Sequence, residues 1–155
     1  ELITLYNLIK ENYKDLKIPL LPIEVFKNLF EKKIGLLLLA ILDNNPIAAR
    51  VVLKFNYELY DWYAGKDKNF FEIPANEYLV WKTLEYGVEN NFSVFNFGGA
   101  GKPNIYYGPR EFKRKFGGEL VNFGRFEKIH KPFLYNLSKI GFKLWQKVLV
   151  KVCYV

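Results

Sequence analysis

Residues 86–119 of the chain are YGVENNFSVFNFGGAGKPNIYYGPREFKRKFGGE. The order of apolar, glycine, aromatic and basic residues in this stretch decides the predicted fold. The end of a helix leads into a short apolar strand at 92–97, which opens into a glycine-rich loop at 98–101. Two tyrosines follow the loop, and then a segment at 112–118 that mixes aromatic with basic side chains. A strand that ends in glycines, tyrosines and clustered cations is a frequent setting for a ligand site. The upstream chain is therefore expected to supply the sheet and helices that carry this site.

The composition predicts one folded domain with an affinity for anions. Of the 155 residues, 50% are hydrophobic and 18% are aromatic, which is enough for a sizeable core and argues against disorder. The 23 Lys and Arg residues outnumber the 16 Asp and Glu residues, for a formal net charge of +7. This balance favours RNA, a phosphorylated ligand or an anionic membrane surface as a partner. We expect a single domain over 1–155, with its core at 1–126 and a final helix at 132–151.

The single cysteine and the single histidine limit disulfide and metal chemistry. With only Cys153 the chain cannot form an internal disulfide, and His130 leaves little for a metal site. The longest apolar run, at 34–42, is too short to cross a bilayer. We therefore predict a cytoplasmic protein with no bound metal. Because the sequence contains no methionine, we also expect it to be a piece of a longer protein.

Hydrophobic periodicity and turn residues predict an α/β protein with a mixed central sheet flanked by helices. Two short helices come first, then three strands joined by polar turns, and then a long helix that Pro74 and Asn76 introduce. This order fits helices packed around a mixed sheet and not a doubly wound parallel fold. The predicted helices are 2–13, 23–31, 76–90 and 132–151, with a helical turn at 110–116, and the predicted strands are 36–42, 47–55, 57–64, 92–97 and 119–126.

Four blocks of sequence resemble the GNAT acyltransferase superfamily, and specifically its Fem-like branch, which holds the peptidoglycan-bridge aminoacyltransferases and their acetyltransferase relatives. The blocks resemble its central hairpin, its aromatic strand that ends in small residues, the start of its central helix, and its glycine loop with the following Phe-Lys turn. In this chain they are LLLLA and NPIAA within 36–49, YDWYAG at 60–65, PANEYLVW at 74–81, and NFGG at 96–99 followed by FKRKFG at 112–117. The resemblance covers 2–126 and implies a GNAT-like fold.

The resemblance implies transfer of an acyl or aminoacyl group to an amine. The implied donor is acetyl-CoA or an aminoacyl-tRNA, and the implied acceptor is an amine such as that of a cell-wall peptidoglycan precursor. Fem-like transferases typically carry two GNAT-like domains, so a second such domain is an expected partner. The chain departs from the family at Asn96, where Asp is usual, and lacks a glycine-rich pyrophosphate-binding sequence before the helix at 76–90. This second departure makes acetyl-CoA the less favoured donor.

Two residues are predicted to carry the chemistry. Acyl transfer passes through a tetrahedral oxyanion, which needs a preorganised donor or a cation in a site that is poor in water. Lys113 matches the lysine of the family's Phe-Lys turn, and the resemblance implies this role for it. Asp61 lies among Tyr60, Trp62 and Tyr63, where desolvation would favour its use as a general base. The alternatives are a solvated basic turn for Lys113 and a solvent-facing strand residue for Asp61.

A second group of residues is predicted to bind substrate. Backbone N–H groups of a glycine loop can approach an anion, tyrosines can stack on a base, and basic side chains can hold phosphates. The alternatives are an ordinary turn for the glycines, loop anchors for the tyrosines and a solvated surface for the cations. The predicted substrate-binding residues are Gly98, Gly99, Tyr106, Tyr107, Arg114, Lys115 and Asn76.

The final helix carries a basic stripe. Lys139, Lys143, Lys147 and Lys151 recur every four residues, and Trp145 lies beside them. The stripe is either a solvated helix face or a contact to an anionic membrane, which would make the protein peripheral to that membrane.

Two functions from different classes therefore fit the sequence. The first is a Fem-like acyl- or aminoacyltransferase that works by direct transfer, since no Ser/His/Asp or Cys/His set for covalent catalysis can be assembled. The second is a non-catalytic GNAT-like module that binds RNA or a partner domain through its basic loop.

Overall fold

The computed structural model describes residues 1–16, 20–102, 104–124 and 126–152, although not the side chains of Asp15 and of 148–152. Cys153 and the side chain of Lys151 thus lie outside the described part. The helices are α1 (Leu2–Leu16), α2 (Ile23–Glu31), α3 (Ala75–Glu89), α4 (Gly108–Arg114) and α5 (Pro132–Val152), with a 3-10 turn at Lys68–Phe70, and the strands are β1 (Gly35–Leu42), β2 (Asn45–Phe55), β3 (Glu58–Lys66) and β4 (Val94–Asn96).

The four strands form one mixed sheet in the order β1-β2-β3-β4. The first two pairings are antiparallel, and β3 pairs with β4 in parallel. Asp43 and Asn44 both have positive φ, which matches the tight turn that a two-residue hairpin connection requires. The predicted α/β class with a mixed sheet flanked by helices is therefore confirmed.

Helices cover the two faces of this sheet. The core beneath α1 and α2 contains Leu5, Ile9, Phe26, Ala49, Val51 and Tyr63. The core beneath α3 contains Ala40, Ile47, Ala48, Ala75 and Leu79. The α1 backbone lies directly on β3 at Gly65, where an added Cβ would come within 2.5 Å of the Leu8 carbonyl oxygen.

A β-bulge in β3 decides which side of the sheet the polar residues face. Val51 pairs with Tyr63 and the next residue, Val52, pairs with Asp61, so Trp62 is an extra residue in the ladder. Tyr63 joins the core under α1 and α2, whereas Asp61 contacts Arg50 on the side of α3. In a regular strand, positions 61 and 63 would share one face.

Three details differ from the sequence-based expectations. The expected strand at 119–126 is wrong, because its described residues have no strand pairing and are exposed. Alternating polarity alone does not form a strand, which needs a partner ladder. The expected buried strand 36–42 lies at the sheet edge as β1, and the side chain of Ile41 is 61% exposed. The strand at 92–97 shortens to the three residues of β4.

The chain forms two compact units, Glu1–Phe116 and Gly117–Val155. The first contains the sheet with α1 to α4, and the second contains α5 and a preceding segment without regular secondary structure in its described residues. Among the described residues, no helix combines the length and the apolar content needed to span a membrane.

Candidate functional site

A buried ion pair joins β2 to β3 at the start of α3. The side chain of Arg50 is 2% exposed, and its Nη1 donates to Asp61 Oδ1 at 2.6 Å. The Nη2 group of Arg50 donates to the backbone oxygen of Asn76 at 3.4 Å. A buried guanidinium without a carboxylate partner would be strongly destabilising, so this pair fixes the Asp61 carboxylate in place. The pair brings two predicted site residues, Asp61 and Asn76, to one point.

Sequence analysis missed Arg50, although a signal for it exists. It is the one charged residue between Ile47 and Leu53, in a strand whose neighbours Ala49 and Val51 are fully buried. A charge in an otherwise apolar strand indicates a buried partner. Asp61 was expected to be a desolvated carboxylate among aromatic rings, but the structure instead pairs it with this guanidinium.

Two polar atoms at this point are buried and lack hydrogen-bond partners among the described residues. They are Nε of Arg50, a donor, and Oδ1 of Asn76, an acceptor. Buried polar groups are nearly always satisfied, and the exceptions often occur where a ligand or water binds. Both atoms are enclosed by the surrounding residues, so a bound molecule could reach them only after those residues move.

Lys113 of α4 contacts the glycine loop and lies within electrostatic range of the Arg50–Asp61 pair. Its half-buried side chain donates from Nζ to the Gly99 carbonyl oxygen at 2.6 Å. Burial lowers the pKa of the Lys113 ammonium below its ordinary value, the charge of Arg50 lowers it further, and the Asp61 carboxylate raises it. These opposing influences place the three charges within electrostatic reach of each other. The two predicted catalytic residues, Lys113 and Asp61, thus lie in one neighbourhood.

The glycine loop begins with an asparagine that makes two hydrogen bonds. The Asn96 Nδ2 group donates to Glu58 Oε1 at 2.8 Å, and Asn96 Oδ1 accepts from the Gly98 N–H at 2.8 Å. Gly98 has φ of +67°, and an added Cβ would lie 3.0 Å from the hydroxyl oxygen of Tyr60. A carboxylate at position 96 would accept from Gly98 but could not donate to Glu58. This geometry explains why Asn stands at this position in the chain.

Arg110 holds the rest of the loop, and sequence analysis missed this residue too. Its Nη1 donates to the carbonyl oxygens of Lys102 at 3.0 Å and Ala100 at 3.4 Å, and its Nη2 donates to that of Ile105. The loop thus directs carbonyl oxygens toward Arg110 and Lys113. The Gly98 N–H donates to Asn96 Oδ1 and is therefore not free to bind an anion in this structure, whereas the predicted use of the Gly99 N–H stays a prediction.

The other predicted substrate-binding residues lie on the surface. Tyr106 is 84% exposed, whereas the ring of Tyr107 packs against Gly101, where an added Cβ would lie 2.7 Å from it. Tyr107 is therefore a loop anchor, and Tyr106 offers an open ring. Arg114 lies 3.4 Å from Glu111, and Lys115 lies 3.9 Å from Glu77; both cations are exposed. Within the part of the chain that the structure describes, no group of three or more His, Cys, Asp or Glu residues could hold a metal ion.

The chain matches one family model and is similar to several solved structures. The family model described as the FemAB family matches residues 40–142. An aminoglycoside acetyltransferase from an uncultured soil metagenomic sample, solved with sisomicin, is 20% identical, with 81% of this chain and 88% of that chain covered and a TM-score of 0.56. The same enzyme solved with trehalose gives 18% identity, the same coverage and a TM-score of 0.52.

A GNAT family acetyltransferase of Staphylococcus aureus gives 18% identity over 76% of this chain and 83% of that chain, with a TM-score of 0.48. No curated protein shows significant sequence similarity to the chain. The likeness to the metagenomic acetyltransferase shows that the two chains share a fold.

Proposed function

Because the chain belongs to the FemAB family, we propose that it is an acyl- or aminoacyltransferase that moves its group from a thioester or a charged tRNA to an amine. The family and the fold support acyltransferase activity as a class. The observation that carries the proposal is that the buried Arg50–Asp61 pair of β2 and β3 acts on the charge of Lys113, which α4 holds against the glycine loop.

Each of these residues has a proposed task. The ammonium of Lys113 has three N–H donors, one of which goes to Gly99 O, so it can also donate to an oxyanion. Asp61, fixed by Arg50, accepts a hydrogen bond from the incoming amine and orients it. Asn76 Oδ1, which is enclosed in this structure, would accept an N–H from the bound donor or acceptor once the residues around it move.

The proposed step is a direct displacement. The neutral amine attacks the acyl carbon, a C–N bond forms, and the carbonyl oxygen becomes an oxyanion beside Lys113. The oxyanion collapses and the bond to the thiol sulfur or the ribose oxygen breaks. The amine loses one proton to the Asp61 carboxylate or to a water that Asp61 holds, and the leaving group takes up one proton. No covalent intermediate with the protein is needed.

The donor and the acceptor are proposed from the family and the charge. A charged tRNA suits a chain with a net charge of +7, whose sequence lacks the glycine-rich pyrophosphate-binding pattern of acetyl-CoA enzymes. The proposed acceptor is an amine on a peptidoglycan precursor, which corresponds to the role of peptidoglycan-bridge enzymes. Both donors occur in the cytoplasm, where we place the reaction, and a second GNAT-like domain is the proposed protein partner.

The first experiment is a titration of the purified chain with acetyl-CoA and with uncharged tRNA, each at two salt concentrations. Saturable acetyl-CoA binding that tolerates salt would select acetyl transfer and exclude the tRNA donor. Salt-sensitive tRNA binding without an acetyl-CoA signal would select aminoacyl transfer. If neither ligand binds, this chain alone is not the transferase that we propose.

The catalytic role is tested at Lys113 with whichever donor binds. Lys113→Ala is expected to lower kcat by about a hundredfold or more, as the loss of one oxyanion donor does, with little change in donor affinity. Because the Lys113 pKa is lowered, the ammonium is lost as pH rises through that value, so the rate should fall on the alkaline side. Lys113→Arg keeps its charge and should lose this alkaline decline. A decline that persists in Lys113→Arg would contradict the assignment.

A second candidate function is a non-catalytic module that binds RNA or a partner domain. The exposed Arg114, Lys115 and Tyr106, which offer two cations and an open aromatic ring, favour it. The double variant Arg114→Gln/Lys115→Gln should then weaken tRNA binding and its salt dependence, while Lys113→Ala should leave binding unchanged. If tRNA binds and no acyl transfer is detected with any donor, this function replaces the first.

A further inference from the structure

Helix α5 carries positive charge and no negative charge. Its sequence, PFLYNLSKIGFKLWQKVLVKV, contains four lysines and no Asp or Glu over 21 residues. The three lysines with described side chains, Lys139, Lys143 and Lys147, are exposed. With about 100° between successive residues, they fall within an arc of about 80° on the helix surface. The helix therefore presents one cationic stripe.

An apolar stripe lies next to the cationic one. Phe133, Leu137, Ile140 and Leu144 fall within an arc of about 60° that borders the lysines. These side chains are 79%, 55%, 58% and 58% exposed. Trp145 is also exposed and lies on the far side of the apolar arc. An exposed apolar patch of this kind marks a surface that another body covers.

The combination of the two stripes specifies what covers them. RNA would use the lysines but would leave the apolar arc in water, and an apolar protein partner would leave the lysines without counter-charges. The interface of an anionic bilayer matches both, because acyl chains take up the apolar side chains and phosphate headgroups face the lysines. Tryptophan is favoured at the same depth.

We propose that α5 is a docking surface for an anionic lipid membrane. The helix lies in the plane of the interface, with Leu137, Ile140 and Leu144 inserted and Lys139, Lys143 and Lys147 at headgroup level. This binding needs neither the acyl donor nor the residues around Lys113, so it stands independently of the proposed reaction.

The test is co-sedimentation of the full chain with vesicles that contain phosphatidylglycerol and phosphatidylcholine, compared with vesicles of phosphatidylcholine alone. We expect binding to the anionic vesicles that weakens as salt increases, and little binding to the neutral ones. Each lysine near an anionic surface strengthens binding about fivefold, so Lys139→Gln/Lys143→Gln/Lys147→Gln should lower affinity about a hundredfold. The matched control, Lys10→Gln/Lys27→Gln/Lys32→Gln, makes the same change in net charge on exposed lysines elsewhere and should retain most of the binding.

A second pair of measurements tests insertion apart from charge. Ile140→Asp/Leu144→Asp keeps every lysine but should abolish binding to anionic vesicles. Circular dichroism checks that both sets of variants remain folded. The tryptophan fluorescence of the chain should shift to the blue on vesicle binding. This shift should be absent in Trp145→Phe, which retains Trp62 and Trp81.

Several outcomes would overturn the proposal. Equal binding to neutral vesicles, no binding to either kind, or an equal loss in the control triple variant would each do so. Suppose that vesicles do not bind, that the lysine triple variant loses tRNA binding, and that Ile140→Asp/Leu144→Asp keeps it. The lysine stripe would then be a binding surface for RNA and not for a membrane. If light scattering shows a dimer that Ile140→Asp/Leu144→Asp dissociates, again without vesicle binding, a second copy covers the helix.

Discussion

Among the individual side chains, the Arg50–Asp61 pair sets the charge environment of Lys113. Burial and Arg50 both disfavour the ammonium form, and Asp61 favours it. A lysine in such a balance holds a larger neutral fraction at a given pH than an ordinary one. Burial is thus the main cause of the lowered Lys113 pKa, and the two members of the pair modify it in opposite directions.

This balance predicts a measurable pH profile for Lys113. Only the neutral amine reacts with an acylating reagent, so the labelling rate of Lys113 should rise at lower pH than that of an exposed lysine such as Lys10. Because Asp61 raises the Lys113 pKa, Asp61→Asn should move the rise to still lower pH. Mass spectrometry that resolves individual lysines measures both profiles in one sample. A Lys113 profile that coincides with that of Lys10 would contradict the environment described here.

A second prediction for a single side chain concerns Asn96. Asn96→Asp would replace the hydrogen bond to Glu58 by two facing carboxylates, and we expect a loss of about 1 kcal/mol in the free energy of unfolding at neutral pH. Adding Glu58→Gln should recover most of it, because a glutamine amide can donate to the carboxylate that Asn96→Asp introduces. Urea denaturation of the unaltered chain, the two single variants and the double variant measures the coupling energy between positions 58 and 96.

The residues of the site could be predicted only in part. Lys113, Asp61 and Asn76 each carry a local signal, namely a basic turn, a carboxylate among aromatic residues and a helix start. The structure joins Asp61 and Asn76 through Arg50, and Asp61 acts on the charge of Lys113. Arg50 and Arg110 have a weaker signal, because their importance depends on a partner 11 residues away and on loop carbonyls. Sequence periodicity cannot reveal which carbonyl oxygens a loop turns inward.

Among the helices and strands, the contact of α1 with β3 depends on a residue without a side chain. Gly65→Ala would drive a Cβ into the Leu8 carbonyl oxygen and the Ile9 nitrogen, both backbone atoms that can move only with the helix. We expect a loss of about 2–3 kcal/mol in the free energy of unfolding, as for overpacked cores. Urea denaturation measures it.

The matched control for this substitution is Gly99→Ala, where an added Cβ meets no atom within 4 Å. It should change the stability by less than about 0.5 kcal/mol. Equal stability of the two variants would show that α1 does not approach β3 as closely as described.

The helices and strands followed from the sequence where pattern and turn chemistry agreed. The hairpin at Asp43 and Asn44 and the helix α3 lie within a residue or two of their predicted bounds. The failure at 119–126 has a physical cause. Its alternation describes which side chains suit a strand but does not supply the neighbouring backbone that a strand must pair with.

Across the full chain, the two compact units differ in how well their backbone is protected. The segment that begins the second unit, 117–131, has no regular secondary structure in its described residues, and Phe123 and Phe126 within it are 88% and 98% exposed. Exposed backbone outside helices and strands is where proteases cut first.

Chymotrypsin should therefore cut first after Phe123 or Phe126 and leave a fragment that contains the sheet. Tyr106 is a competing exposed site, but Arg110 holds the carbonyl groups of its loop, so cleavage there should be slower. Mass spectrometry of the earliest fragments identifies the sites, and Phe123→Ala/Phe126→Ala should delay the first cut. Primary cleavage at Tyr106 in the unaltered chain would show that Arg110 does not secure the loop.

The extra residue Trp62 allows strand β3 to become one residue shorter without reversing its two faces. In a regular strand, deleting one residue reverses the faces of every residue on one side of the deletion. Because Trp62 is unpaired in the ladder, its deletion would instead leave Asp61 and Tyr63 as neighbours that still face opposite sides. Position 62 is thus the place in β3 where the chain can lose a residue and keep its carboxylate beside Arg50. Homologous strands that differ in length by one residue are expected to differ here.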